Sequence, residues 1–242
     1  MTILSAAAYD AWYASERGAW IGATEQKLLV NLLKPQANER LLDVGCGTGW
    51  FTRRFAQTPG LHVTGVDINQ QWLDYARQQD PLSHYQFSDA RALPFAENSF
   101  DCSVSITALC FVDNWPLAIK EIVRVTSSRF AIALLNRNSL LWREKGQNGG
   151  QGAYRGAHWH SIAELRPVLD ALPVQQVAYH SAIFLPSGST EARQVETLLS
   201  NDLDWGSFLV VSGLLQEQQP LQQAGQYGAH THKHSELTSS PA

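Results

Sequence analysis

The sequence predicts a doubly wound α/β fold, with helices on both faces of a mostly parallel sheet and an antiparallel edge strand. Two observations lead to this prediction. Short apolar, β-branched segments alternate with helical segments along most of the chain, a pattern typical of parallel strands joined by helical crossovers. The first of these segments, residues 40–44, runs directly into a glycine-rich turn. The 242 residues suffice for one such domain with additions.

The order of elements follows from the spacing of apolar residues. Residues 6–33 are predicted to be helical, with a short Ala-rich piece at 6–12 and an apolar helical period over 24–33; further helices are predicted over about 50–57, 70–78, 115–125 and 162–172. Five strands of the parallel part of the sheet are predicted at residues 40–44, 62–67, 85–88, 100–106 and 130–135. Two further strands, at 174–179 and 208–212, are expected to close one edge as an antiparallel pair.

The chain divides into three parts by composition. Residues 1–39 are predicted to form an N-terminal helical lid, and residues 40–215 the main domain. Within that domain, residues 136–160 are rich in Gly, Arg, Trp and His and are expected to form an insertion of loop with a helical turn or two. Residues 216–242 are rich in Gln, Ser and His with almost no apolar content, which predicts a disordered tail.

Composition limits the possible partners and locations. The net charge of −4 offers no overall basic excess of the kind that nucleic-acid binding favours. The three cysteines contain no CxxC pair, and their odd number argues against a disulfide scaffold. The N-terminus lacks a basic start followed by an apolar run, and no apolar stretch is long enough to cross a membrane. These features favour a cytoplasmic protein.

The glycine-rich turn carries the strongest functional signal. Asp43 precedes glycines at 45, 47 and 49, so the spacing is GxGxG; the dinucleotide pattern GxGxxG would need glycine where Trp50 stands. A carboxylate beside a pyrophosphate is repulsive, whereas beside an ammonium group it is favourable. The loop is therefore predicted to hold a nucleoside with an amino-acid end. The alternative is that Asp43 caps the turn and the glycines only make it tight.

Two further acids follow successive predicted strands. Asp67 can accept both hydroxyls of a ribose, or it can cap the helix that starts near Asn69. Asp89 can read the amino group of an adenine, with Ile68 and Ala90 flanking the ring. The carboxyl ends of parallel strands meet at one edge of a sheet, so three such acids together are a stronger signal than any one.

Four segments of the chain together resemble a known family. They read LLDVGCGTG, GVDIN, SDARALPFAENSFD and LCFVDNWPLAIKEIVRV. They resemble the class I S-adenosylmethionine-dependent methyltransferases, in particular the type 11 group that includes ubiquinone and menaquinone C-methyltransferases. The resemblance covers about residues 9–140 and implies a Rossmann-like sheet and S-adenosylmethionine as cofactor. The family's Pro-Gly-Gly before the fifth strand is replaced here by Ser127-Ser128-Arg129.

The resemblance also implies roles for individual residues along the cofactor. Thr107 would lie near the sulfonium, and Tyr9 and Tyr13 resemble an N-terminal aromatic lid; the alternative for both tyrosines is helix packing. The residues matched to the cofactor, from its methionine end through ribose to adenine, are Asp43, Gly45, Gly47, Asp67, Ile68, Asp89 and Ala90.

The acceptor pocket is predicted to lie between the N-terminal helix and the 136–160 segment. His158 is the candidate general base, and Arg137 is the candidate to hold an anionic group. Asn136, Trp142 and Tyr154, together with Tyr9 and Tyr13, are the candidate acceptor contacts, although aromatic packing and solvated charges would explain the same residues. His158-x-His160 lacks an evident third ligand at useful spacing, so no metal site is predicted.

The predicted function is methyl transfer to a small-molecule acceptor by a monomer or homodimer. A non-catalytic S-adenosylmethionine-binding regulatory subunit remains an alternative, as does a protein or nucleic-acid methyltransferase. The latter is disfavoured because residues 106–109 read Ile-Thr-Ala-Leu, where amino-methylating nucleic-acid enzymes carry Asp/Asn-Pro-Pro-aromatic. A NAD-dependent oxidoreductase is disfavoured by Trp50 and Asp43.

Overall fold

A computed structural model describes residues 5–216 of the chain. These residues contain seven strands and seven α-helices, which alternate along part of the chain. The helices are α1 (Ala6–Trp12), α2 (Glu16–Leu33), α3 (Trp50–Phe55), α4 (Gln70–Gln79), α5 (Trp115–Val125), α6 (Ile162–Asp170) and α7 (Thr190–Leu198). The strands are β1 (Arg40–Val44), β2 (His62–Asp67), β3 (His84–Phe87), β4 (Phe100–Ile106), β5 (Thr126–Leu135), β6 (Val174–Ala182) and β7 (Phe208–Leu215).

All seven strands form one sheet in the order β3-β2-β1-β4-β5-β7-β6. Strands β1 to β5 are parallel, and β7 runs antiparallel to both β5 and β6. The predicted fold class is confirmed, with the reversed strand β7 lying one position in from the edge strand β6. The strand order reverses between β1 and β4, and ligands of such sheets bind at the carboxyl ends of the strands beside this point.

Helices cover both faces of the sheet because each face presents an apolar layer. Leu29 of α2 and Phe55 of α3 are fully buried in one layer, and Ile122 of α5 and Leu165 of α6 are fully buried in the other. Burying one such side chain stabilises the fold by roughly 1.5–3 kcal/mol. These layers fix the strands whose carboxyl ends carry the candidate site.

Three elements differ from the sequence prediction. Helix α1 has the predicted bounds, but α2 starts at Glu16 instead of Thr24, because the Ser15 hydroxyl accepts from the N–H of Gly18 and caps the helix there. Strand β5 is four residues longer than predicted, since it starts at Thr126 instead of Phe130. Helix α7 was not predicted, although Ala192, Val195 and Leu198 stand at helical spacing; among its residues only Ala192 is buried.

The 136–160 segment contains three short helical turns, Trp142–Gly146, Gln147–Gly149 and Gly152–Tyr154, joined by loop. The tail predicted at 216–242 lies outside the described residues except for Gln216. Across residues 5–216, every helix is too short or too polar to span a bilayer.

Candidate active site

The glycine turn after β1 is held against the end of β2. The backbone N–H groups of Gly45 and Cys46 donate to the carbonyl oxygen of Val66 at 2.7 and 2.9 Å. Gly45 has a φ of +77°, and a Cβ on it would lie 2.2 Å from Cβ of Ala108, just past β4. A side chain at position 45 is therefore excluded twice, by backbone conformation and by contact. The turn brings the ends of β1, β2 and β4 together.

Asp67 joins the end of β2 to the glycine turn. Its Oδ2 accepts from the N–H of Gly47 and its Oδ1 from the N–H of Asn69, both at 2.8 Å. Helix α4 is capped by Asn69, whose side chain accepts from the N–H of Trp72, so the predicted alternative cap role of Asp67 is wrong. Burial raises the pKa of Asp67. A carboxylate has four acceptor sites, so two remain for a ligand.

Ile68 follows Asp67 and is 60% exposed, which is unusual for an isoleucine. It directly follows Asp67, whose carboxylate accepts from the N–H of Gly47 in the glycine turn. This exposure is compatible with the predicted contact to an adenine ring.

Asp43 lies buried at the end of β1. Its Oδ2 accepts from Oγ1 of Thr52 in α3 at 2.6 Å, and its Oδ1 has no hydrogen-bond partner within the protein. Burial raises the pKa of Asp43 to about 7. Buried carboxylate oxygens are normally satisfied, so the free oxygen calls for a donor, and a ligand ammonium or a bridging water would supply one. The hydrogen bond to Thr52 joins Asp43 to helix α3. The alternative, in which Asp43 caps the glycine turn, would require a hydrogen bond between Asp43 and the turn.

Asp89 is held by its neighbour Arg91. Nη2 of Arg91 lies 2.7 Å from Oδ2, and the N–H of Arg91 donates to Oδ1 at 2.9 Å. The Arg91 guanidinium lowers the pKa of Asp89. An adenine amino group would have to share this carboxylate with Arg91. Ala90 is half-buried against the core beneath α5.

Helix α1 is docked on the glycine turn through Asp10. The carboxylate of Asp10 accepts from Nη2 of Arg53 at 2.7 Å and from Oγ1 of Thr48 at 3.1 Å. The rings of Tyr13 and Trp50 stack with centroids 4.0 Å apart, and Tyr13 is buried, which matches the packing alternative for this residue. Sequence analysis did not single out Asp10, because a single acid in a short Ala-rich helix carries no local signal.

The Glu25 carboxylate of α2 is close enough to three phenols, Tyr9, Tyr13 and Tyr154, to affect their pKa values. Burial raises the pKa of Tyr9, Tyr13 and Tyr154, and the nearby Glu25 carboxylate raises each of them further. Burial raises the pKa of Glu25 itself to about 8. The lid and the insertion therefore approach each other around Glu25, a residue that sequence analysis missed because it stands in the polar run Thr24-Glu25-Gln26-Lys27.

Thr107 lies at the carboxyl end of β4 with a φ of +55°, in the left-handed region that a β-branched residue rarely adopts. Its N–H donates to the carbonyl oxygen of Ala133 at 2.8 Å. The next residue, Ala108, is the one that faces Gly45. Such strain costs of order 1–3 kcal/mol and is concentrated at functional sites.

Asn136 requires a correction. Its Nδ2 donates to the carbonyl oxygens of Asp204 (2.6 Å) and Gly206 (2.9 Å), and its Oδ1 accepts from the N–H of Asn138. The side chain is buried and its polar atoms are used. Asn136 therefore ties the end of β5 to the loop before β7, and the expectation that it contacts an acceptor is wrong.

Trp142 is half-buried against the apolar core beside Trp159. The two indole rings flank Gly146, where a Cβ would lie 2.2 Å from Cδ1 of Trp142 and 2.8 Å from Cε2 of Trp159. This contact matches the packing alternative for Trp142.

The two candidate catalytic residues converge on Glu164. Nε2 of His158 lies 2.7 Å from Oε1 of Glu164, and Nη2 of Arg137 lies 3.6 Å from Oε2. His160 is fully buried beside them; burial, with the charges of His158 and Arg137, lowers its pKa to about 3. Ligand atoms of His158, His160 and Glu164 all lie within 4.8 Å of one another, so the expectation that no third ligand was available is wrong.

Comparison with known proteins agrees with this geometry. The family model described as a methyltransferase domain matches residues 42–131, a segment that contains the glycine turn and the acids at 43, 67 and 89. Residues 42–131 therefore match a methyltransferase domain, and solved structures of the same fold are described as S-adenosylmethionine-dependent methyltransferases. The resemblance read from the sequence motifs is thereby confirmed, and so is the cofactor class.

Curated relatives match only part of this chain. A malonyl-(acyl-carrier protein) O-methyltransferase of Erwinia pyrifoliae is 35% identical over 127 residues, covering 50% of this chain and 48% of that protein. The O-methyltransferase resE of Aspergillus sclerotiorum is 37% identical over 109 residues, covering 42% and 41%. The chain spans about half the length of the curated relatives it matches.

Solved structures share the fold over most of the chain. A methyltransferase of Thermotoga maritima, described as a possible histamine N-methyltransferase, aligns with a TM-score of 0.69 and 24% identity, covering 86% of this chain and 95% of that one. The geranyl diphosphate C-methyltransferase of Streptomyces coelicolor aligns with a TM-score of 0.61 and 16% identity, covering 79% and 75%. At these identities the likeness shows the fold of the methyltransferase domain alone.

Proposed function

We propose that this protein transfers a methyl group from S-adenosylmethionine to a small-molecule acceptor. The observation that carries the proposal is the group of acids at the carboxyl ends of β1, β2 and β3 around the glycine turn. Methyl transfer is a displacement at an already activated carbon, so the protein has mainly to align donor and acceptor and exclude water. A site built for binding and orientation suits that chemistry.

Each cofactor residue has a proposed role that its environment supports. The free oxygen of Asp43 accepts from the ammonium group of the cofactor. Asp67 accepts from the ribose hydroxyls while it holds Gly47, which keeps the turn in register with the sugar. Ile68 and Ala90 flank the adenine, and Asp89 accepts from its amino group. Thr107 lies nearest the sulfonium.

We propose oxygen as the acceptor atom. Relatives that are 35% and 37% identical to this chain are named O-methyltransferases. A hydroxyl acceptor must lose its proton during transfer, so a base is useful. His158 is the proposed base, with Glu164 holding its ring, and Arg137 is the proposed partner for an anionic group on the acceptor. Tyr9 and Tyr154 with Glu25 would contact the rest of the acceptor.

We further propose that the protein acts in the cytoplasm as a monomer or homodimer without a nucleic-acid partner. The net charge of −4 and three cysteines outside any disulfide support this proposal.

The test is calorimetric binding followed by a transfer assay. S-adenosylhomocysteine is expected to bind and NAD is not, because an acid stands where a pyrophosphate needs donors. Labelled S-adenosylmethionine is then offered with phenol, quinol, carboxylic-acid, amine and lipid acceptors, and transfer to an oxygen acceptor is expected. NAD binding without S-adenosylhomocysteine binding would overturn the cofactor assignment.

A matched control distinguishes the loss of a cofactor contact from the general effect of removing a carboxylate. Asp101, at the amino end of β4, accepts from the N–H of Arg40 at 2.8 Å, on the edge of the sheet opposite the glycine turn. Asp101→Asn is expected to keep the affinity for S-adenosylhomocysteine, whereas Asp67→Asn is expected to weaken it. Equal losses in the two variants would point to general destabilisation.

A further inference from the structure

Three side chains that ligate metals in other proteins meet beside the carboxyl end of β5: the triad His158–His160–Glu164. The backbone holds the two histidines in place, because the N–H of His160 donates to the carbonyl oxygen of Leu135 at 2.8 Å and that of His158 to the carbonyl oxygen of Cys110 at 2.7 Å. Glu164 stands in the first turn of α6. The ligand atoms of the triad are within 4.8 Å of one another.

The triad contains buried polar atoms that no protein group satisfies. Both ring nitrogens of His160 and Oε2 of Glu164 are buried without a hydrogen-bond partner. The His160 ring is held edge-on between Trp115, at a centroid distance of 4.8 Å, and His158, at 4.5 Å. Buried polar groups in native proteins are nearly always paired. The His160 imidazole has no protein partner, and Oε2 of Glu164 has only the 3.6 Å ion pair with Arg137, so one shared partner would satisfy both groups.

We propose that the His158–His160–Glu164 triad binds a divalent transition-metal ion of the zinc class. Two imidazoles and a carboxylate are a common ligand set for zinc, and three protein ligands leave a fourth position for water or an oxygen ligand. The side chains of His158 and Glu164 are 40% and 29% exposed, so the ion reaches the triad from solvent. A bound ion would occupy Nε2 of His158, so the ion-bound form excludes the proposed role of His158 as base in methyl transfer.

The hydrogen bond between His158 and Glu164 prepares the site in its ion-free form. At 2.7 Å it holds Nε2 and Oε1 side by side, and the ion takes the place of the proton between them. His158 then carries its ring proton on Nδ1. One carboxylate oxygen of Glu164, either Oε1 or Oε2, turns to the ion. Small shifts of two half-exposed side chains complete the coordination, since His160 is already fixed.

Arg137 opposes the ion and gives the proposal a directional test. Its guanidinium lies 3.6 Å from Oε2 of Glu164, where it repels a cation and competes for the carboxylate. Replacing Arg137 with an uncharged residue is therefore expected to tighten metal binding. An adventitious site elsewhere on the surface would not respond to this change.

The experiment uses the full chain with His230, His232 and His234 replaced by Gln, since these histidines could capture metal themselves. Zinc chloride is titrated by calorimetry, and cobalt(II) chloride by visible absorption. One ion per chain and a tetrahedral cobalt spectrum are expected. Glu164→Gln and His160→Ala are each expected to weaken zinc binding at least tenfold, and Arg137→Gln to tighten it.

The matched control is His180→Gln, which removes a half-buried histidine of β6 that pairs with Asp202 at 3.4 Å. Zinc affinity is expected to stay unchanged in this variant. Far-ultraviolet circular dichroism checks that each variant is folded, and Glu164→Gln keeps the site testable if His160→Ala does not fold. Absence of zinc binding in the tail-substituted chain, or equal affinity in Glu164→Gln, would overturn the proposal.

Discussion

Cofactor affinity is expected to depend on pH through Asp43. Burial raises the pKa of this carboxyl to about 7, and its Oδ1 is free while Oδ2 accepts from Thr52 at 2.6 Å. An ammonium group contacts the ionised form, so the bound state keeps Asp43 charged. The free protein takes up a proton as the pH falls through 7, and that proton must leave before the ligand binds. Affinity for S-adenosylhomocysteine is therefore expected to fall with falling pH.

The size of the effect follows from the pKa of Asp43. Between pH 8 and pH 6 the protonated fraction of a group with a pKa of about 7 rises from roughly a tenth to roughly nine tenths. The dissociation constant is then expected to rise about tenfold, or about 1.4 kcal/mol. Calorimetry in two buffers of different ionisation heat measures the protons released, which should approach one per ligand near pH 6.

Asp43→Asn isolates the contribution of this residue. Asp67 also has a raised pKa, so Asp67→Asn measures its share, and Asp101→Asn is the control at the opposite edge of the sheet. The amide that replaces the Asp43 carboxyl does not titrate, and the variant is expected to bind more weakly at pH 8 with a flatter pH profile. An affinity that is flat between pH 6 and 8 in the wild type, or a full pH dependence in Asp43→Asn, would refute the role of Asp43.

Four further outcomes are expected. Asp67→Ala should weaken S-adenosylhomocysteine binding by about 1–3 kcal/mol in calorimetry, because the charge-assisted bonds to the ligand and to Gly47 are lost. Asp10→Asn should weaken the same binding and speed proteolysis of the N-terminal helix, since α1 loses its ion pair with Arg53; an unchanged proteolysis rate would argue against docking through this pair. Burial raises the pKa of Glu25 to about 8, so the folded protein binds its proton more tightly than the unfolded chain and wild-type stability should fall as the pH rises from 5 to 8. In thermal unfolding, Glu25→Gln should lose less stability than the wild type between pH 5 and pH 8. Identical pH profiles of stability in the two proteins would contradict a raised pKa of the buried Glu25 carboxyl. Arg137→Gln and His158→Gln should each lower turnover while sparing S-adenosylhomocysteine affinity, and full activity in both would move the acceptor site elsewhere.

The strands and the cofactor turn could be predicted from the sequence because their signals are local. Strands β1, β2 and β4 and helix α5 have the predicted bounds, since the period of apolar residues follows directly from backbone geometry. The GxGxG turn with Asp43 before it is likewise a contiguous motif. The acids that follow β2 and β3 could be placed near it because parallel strands end at one edge of the sheet.

The partners of polar side chains were decided only by the tertiary structure. Asn136 is committed to carbonyl groups of Asp204 and Gly206, some seventy residues further along the chain, and no local pattern reveals this. Glu164 is only six residues from His158, but their contact depends on the turn at Ser161 that starts α6, and sequence spacing alone did not reveal it. Apolar periodicity specifies which face of an element is buried, whereas a hydrogen bond depends on the relative positions of two elements, and packing alone sets those positions.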